Sequence, residues 1–173
     1  MHGFVDKGEG AQMPSAIATS EAIVALSCLE WGVKSSLREY VRGLDDGRIE
    51  WDAPATEARF PCMRVGREAD PDAYVFVADG AVRYFAHGGL MDITLRDITV
   101  RVVGDVLTVS VAEQHRAGSI VIAEQDGVER RIADRELVIT GDAPRLTSRG
   151  VALLGSVYPR GTELDPLRIV IAR

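Results

Sequence analysis

From residue 73 onward, polar and apolar positions alternate, or apolar residues run together briefly, in one segment after another. A period of two marks a half-buried strand, and a short unbroken apolar run marks a strand covered on both faces. The pattern predicts strands at 73–78, 81–85, 91–95, 98–103, 106–112, 119–124, 128–133, 137–140, 151–158 and 167–172. Asp79-Gly80, Gly104-Asp105 and Asp126-Gly127 lie between such runs and supply the positive φ that tight hairpins need. The expectation is a mainly β domain, an antiparallel β-sandwich or barrel-like pair of sheets.

One stretch has a helical period instead. An apolar strand ends at Trp31, a core residue by its setting. Val33, Leu37, Tyr40, Val41 and Leu44 then recur every three or four positions. This predicts a short helix from about Ser35 to Arg42, stopped by Gly43, with Tyr40 in its core-facing stripe and Lys34, Arg38 and Arg42 on a wetter side. Trp51 reads as a pocket or sheet-face residue. Residues 1–21 mix Gly, Pro, Ser and charges and read as a flexible leader ahead of a single domain at 22–173. They lack the basic start and apolar run of a signal peptide. The apolar run at 22–29 is far short of the roughly 20 residues that cross a bilayer. The expectation is therefore a cytoplasmic protein without membrane insertion, or an extracellular one if an upstream export signal has been removed.

Composition narrows the function classes. The 173 residues carry 26 acidic against 20 basic side chains, a net charge of −6, which gives no footprint for coating phosphate backbones; nucleic acid is not an expected partner. Two cysteines, Cys28 and Cys62, are too few for a disulfide scaffold and fit no zinc spacing, so both are expected as buried free thiols. There is no phosphate-binding glycine loop, nucleophile elbow or His/Glu pair at helical spacing. Carboxylates such as Asp45, Asp46 and Glu129 sit in turns or beside arginines. The protein is expected not to be an enzyme.

Tyr40, on the helix, and His87, before two glycines, are each open to a structural and a chemical reading. A tyrosine with an apolar body and a basic flank suits ferric haem: its phenolate coordinates Fe(III), apolar side chains cover the macrocycle, and a cation pairs with a propionate. Spacing alone fits equally a core tyrosine whose hydroxyl finds a backbone partner. His87 precedes Gly88-Gly89 at a strand end, where a lone histidine is ordinarily a loop or capping residue. His2 and His115 lie in polar surroundings and carry no functional expectation.

Three segments, in order, carry a resemblance. WGVKSSLREYV, residues 31–41, resembles the opening motif of the HtaA-type haem-binding domain family. VRYFAHGGLMDITL, residues 82–95, looks like its second motif, and TSRGVALLGSVYPRGTELDPL, residues 147–167, is similar to its closing one. The resemblance implies that the short N-terminal α-helix carries the ligand, with Tyr40 binding the iron of ferric haem b and His87 hydrogen-bonded to it. A neighbouring imidazole favours the phenolate over the phenol, which in free tyrosine persists to a pH of about 10. Lys34, Arg38 and Arg83 are expected at the propionates or rim. Leu37 stands where the family commonly has phenylalanine, and Val157 ends a stretch where it tends to be aromatic, so both are expected as aliphatic haem contacts. Tyr158 and Asp165-Pro166 are read as a packed aromatic and a turn. The implied role is haem transfer, buffering or uptake, with another haem-transfer protein as partner and a homodimer allowed by exposed sheet edges. Two alternatives stand beside it: a non-enzymatic interaction module that has lost haem binding, and a binder of another flat apolar ligand.

Overall fold

The computed structural model describes residues 21–67, 73–114 and 116–173. The leader expected at 1–21 lies outside them except for Glu21, as do His2 and His115. The described chain runs α1 (Glu21–Leu26), β1 (Cys28–Trp31), α2 (Ser35–Arg42), β2 (Arg48–Asp52), β3 (Arg59–Arg67), β4 (Ala73–Ala78), β5 (Ala81–Ala86) and β6 (Met91–Arg96). It continues through β7 (Thr99–Val103), β8 (Val106–Ala112), β9 (Ser119–Asp126), β10 (Glu129–Ala133), β11 (Glu136–Gly141), β12 (Arg145–Leu146), α3 (Ser148–Leu153) and β13 (Leu167–Ala172). The fold is mainly β and antiparallel, as expected.

Ten strands form one sheet in the order β10-β11-β13-β1-β3-β4-β7-β8-β9-β12, and β2, β5 and β6 form a small second sheet with β5 central. The large sheet curls nearly shut. Consecutive β9 and β10 are joined only by Gly127 and Val128, yet stand toward opposite ends of the strand order. At the end of β11, Gly141 lies so near that a Cβ there would sit 3.3 Å from Leu107 of β8. Inward-facing residues fill the curl: Leu107, Val109 and Val111 on β8 and Ile139 on β11 are fully buried. Each such side chain contributes roughly 1.5–3 kcal/mol by leaving water.

The small sheet adds Val82, Tyr84, Ile93 and Leu95 to the same core, and α2 lies across β2 and β5 with Leu37 and Val41 turned inward. Trp31 is buried, while Trp51 packs from β2 onto Phe60 with ring centroids 5.6 Å apart. Cys28 and Cys62 are buried free thiols.

Several expectations are corrected. The segment 151–158 is not a strand: Thr147 caps α3 by accepting the Gly150 N–H, and Gly155 and Ser156 then turn the chain at positive φ. Apolar residues there serve a helical face, with Leu154 in the core. Asp79-Gly80 does not close a hairpin, since β4 pairs with β3 and β7 while β5 belongs to the other sheet. It is a crossing between sheets. Gly80 has φ +90° and approaches so closely that a Cβ would sit 2.7 Å from the Asp52 carbonyl. Asp126-Gly127 likewise links β9 to β10, which do not pair, whereas Gly104-Asp105 does close the β7–β8 hairpin. β2 and β3 are not among the expected strands: β2 (RIEWD) does alternate with period two but is only five residues long with two apolar positions, Ile49 and Trp51, and β3 contains Pro61, which sits opposite Cys28.

Candidate functional site

The site is built on α2. Its first turn offers an unpaired N–H at Ser35, and Lys34, at the N-cap, makes no side-chain capping bond. The cap comes from 130 residues away: Asp165 Oδ1 accepts the Ser35 N–H at 2.8 Å. Asp165 Oδ2 accepts from Arg38 at 2.7 Å, its carbonyl accepts from Trp31 Nε1 at 3.1 Å, and its N–H donates to the Val33 carbonyl at 2.9 Å. Burial pushes the Asp165 carboxyl up, but the bonds from Ser35 and Arg38 outweigh it and hold the group below the usual carboxylate range. Arg38 also donates to the Gly32 carbonyl.

This anchoring corrects the placement of Tyr40. With Arg38 drawn inward, α2 rolls so that its buried side is Leu37, Val41 and the stem of Arg38, and Tyr40 emerges 49% exposed instead of core-facing. Its hydroxyl lies 2.7 Å from His87 Nε2, and the two rings stand 5.9 Å apart at 46°. His87, Gly88 and Gly89 follow β5 as a tight turn with φ of 54°, 62° and 98°. Asp46, on the loop after α2, accepts the Gly88 N–H at 2.6 Å. The amides of Gly88 and then His87 hold that carboxyl below its usual range.

One helical turn from Tyr40, Ser36 Oγ is 3.1 Å from Tyr158 Oη, and Lys34 Nζ stands 5.8 Å from the Tyr158 ring centroid. Val157 beside Tyr158 is 68% exposed and Leu90 beyond the His87 turn 93% exposed. The result is a shelf of hydroxyls and one imidazole, edged by apolar residues.

The expected site residues divide accordingly. Tyr40 and His87 meet on the shelf, Lys34 stands over Tyr158 one helical turn away, and Val157 is the exposed sequence neighbour of Tyr158. Leu37 is in the core beneath α2. Arg38 is committed to Asp165, and Arg83 on β5 is held by Asp92 at 2.7 and 2.8 Å and by Glu50 at 3.3 Å. Three shelf features were not anticipated. Ser36 could have been found from its spacing to Tyr40; Asp46 and Asp165 act across chain separations that leave no local signal. Tyr84, under α2, is a different kind of tyrosine. Its hydroxyl has no hydrogen-bond partner among the described residues, and burial pushes its pKa far above normal, so it stays a neutral phenol.

Residues 27–170 match the family described as Htaa. The chain belongs to the HtaA family. Among solved structures, it is similar to the C-terminal domain of HtaA from Corynebacterium glutamicum, with TM-score 0.72 and 20% identity over 84% of this chain and 95% of that one. The N-terminal domain of the same HtaA gives TM-score 0.67 at 20% identity, covering 85% and 97%. The haem-binding protein HtaB from the same organism gives 0.57 at 20% identity, covering 84% and 91%. At that identity the likeness shows a shared HtaA fold. No curated protein sequence matches the chain. Among the described residues no helix of this HtaA-family domain is long and apolar enough to cross a membrane.

Proposed function

We propose that this HtaA-family domain binds ferric haem b on the α2 shelf, as a carrier rather than an enzyme, and passes it to another haem-transfer protein. The observation that carries the reading is the contact between the Tyr40 hydroxyl and His87 Nε2 at 2.7 Å on an exposed face. Haem brings its own equatorial ligands, so one protein ligand suffices, and an anionic oxygen suits Fe(III). Tyr40 is the fitting ligand: it is accessible and already hydrogen-bonded to an imidazole, which stabilises the phenolate and fixes its direction. Tyr84 is sealed, and the Tyr74 hydroxyl is taken by Arg67. Leu90 and Val157 offer apolar surface to the macrocycle, and the Ser36 and Tyr158 hydroxyls with the Lys34 ammonium suit a propionate. Family membership and the haem-binding HtaB neighbour support the same cargo.

The test is a haemin titration followed by absorbance on wild type, Tyr40→Phe and His87→Ala. Saturable binding with a high-spin ferric tyrosinate spectrum is expected, lost in Tyr40→Phe. In His87→Ala it is weakened about tenfold or more, since a hydrogen bond to a charged group contributes about 1.5–3 kcal/mol. No saturation by the wild type, or an unchanged spectrum in Tyr40→Phe, overturns the reading.

A further inference from the structure

We propose that Asp46 is a positioning residue that locks the His87–Gly89 turn and thereby aims His87 Nε2 at Tyr40; its consequence for haem rests on the reading above. On β5, Arg83 and Phe85 lie on one strand face, and a strand continuing past Ala86 would carry His87 onto that same face in extended form. Instead the chain enters the left-handed region at His87 and stays there for three residues. That conformation is uncommon for a residue with a Cβ, though histidine enters it more readily than most, and a partner for the exposed amides of the turn favours it further. Gly88 has open space where a Cβ would stand, so its glycine serves the backbone angle and not a close approach.

Consecutive amides in such a turn converge on one point and form a concave anion site. The Asp46 carboxylate fills it, with Oδ2 2.6 Å from the Gly88 nitrogen, and its depressed pKa reflects bonds from both Gly88 and His87. Among the described residues, Asp46 and Tyr40 are the side chains of other elements that hydrogen-bond this turn. Asp46 sits on the loop leaving α2, the helix that carries Tyr40. Two bonds therefore join the same two elements side by side, one through the backbone of the turn and one through the imidazole. Without the first, the turn relaxes to ordinary φ and the imidazole swings away from the tyrosine oxygen.

The experiment has a haem-free and a haem-loaded arm, run on wild type, Asp46→Ala, Asp46→Asn and the adjacent control Asp45→Asn. In the haem-free protein, NMR hydrogen exchange at the Gly88 amide is expected to quicken in Asp46→Ala, less in Asp46→Asn, which keeps one acceptor oxygen, and not in Asp45→Asn. The His87 imidazole ¹⁵N shift is expected to report loss of the Tyr40 contact in the same order. In the loaded protein, ferric haem loss to apomyoglobin is expected to speed up about three- to tenfold in Asp46→Ala, the scale of one charge-assisted bond at an exposed place. Unchanged Gly88 exchange, or an unchanged imidazole shift, overturns the proposal whatever the haem result. A loosened turn with unaltered haem loss overturns its functional part. If the wild type takes up no haem, the haem reading fails by itself, and the haem-free arm still decides whether Asp46 positions His87.

Discussion

Replacing Asp165 by alanine removes more than one bond. The Ser35 N–H loses its cap, worth about 1 kcal/mol for a helix N-terminus. Arg38, with its side chain only 19% exposed, loses its carboxylate and is left half-buried with a carbonyl alone, which adds about 1–2 kcal/mol. The expected loss is thus about 2–3 kcal/mol, or a fall in melting temperature of about 5–10 °C for a domain of this size. Asp165→Asn keeps an oxygen for Ser35 and loses the ion pair, so about half the effect is expected. The effect should also depend on pH. Because the folded carboxyl is held below the ordinary value near 3.9, its contribution is complete above about pH 4 and is lost as pH falls through the folded pKa. Thermal and guanidinium melts at pH 7, with a series down to pH 3, measure both. A variant within about 0.5 kcal/mol of wild type at pH 7, or a gap that does not narrow on acidification, refutes the anchoring argument.

Two further outcomes are expected. Gly80→Ala places a Cβ 2.6 Å from that of Ala55 at φ +90° and should cost about 1–3 kcal/mol in a denaturant melt; equal stability would mean that the crossing between the sheets yields freely. Burial pushes the Cys62 thiol up to about 11, so at pH 8 alkylation of the folded protein should be about 100-fold or more slower than in guanidinium, and prompt stoichiometric labelling without denaturant would contradict that burial.

Local patterning carried much of the fold. The bounds of α2 follow from the spacing of Leu37 and Val41, and β7, β8 and the Gly104 turn from strict alternation. What alternation cannot register is pairing: nothing in Asp79-Gly80 tells a hairpin from a change of sheet, because both need the same positive φ. The 151–158 segment failed for a related reason, since a short apolar run suits either period and Thr147, the deciding cap, stands outside it. At the site, the motifs pointed to Tyr40 and His87 and the structure brings them within hydrogen-bond reach. The exposure of Tyr40 was hidden because it depends on the roll of α2, and that roll is set by Arg38 meeting Asp165 far along the chain.

The arrangement of β1 beside β13 has a bearing on attachment. Trp31 pairs with Leu167 at the end where α2 begins, while Cys28 pairs with Val170 toward the other end. There Ile23 of α1 and Arg173 line one recess, at the end of the β1–β13 pair opposite the start of α2. A label fused after Arg173 should therefore leave the contact between Tyr40 and His87 undisturbed.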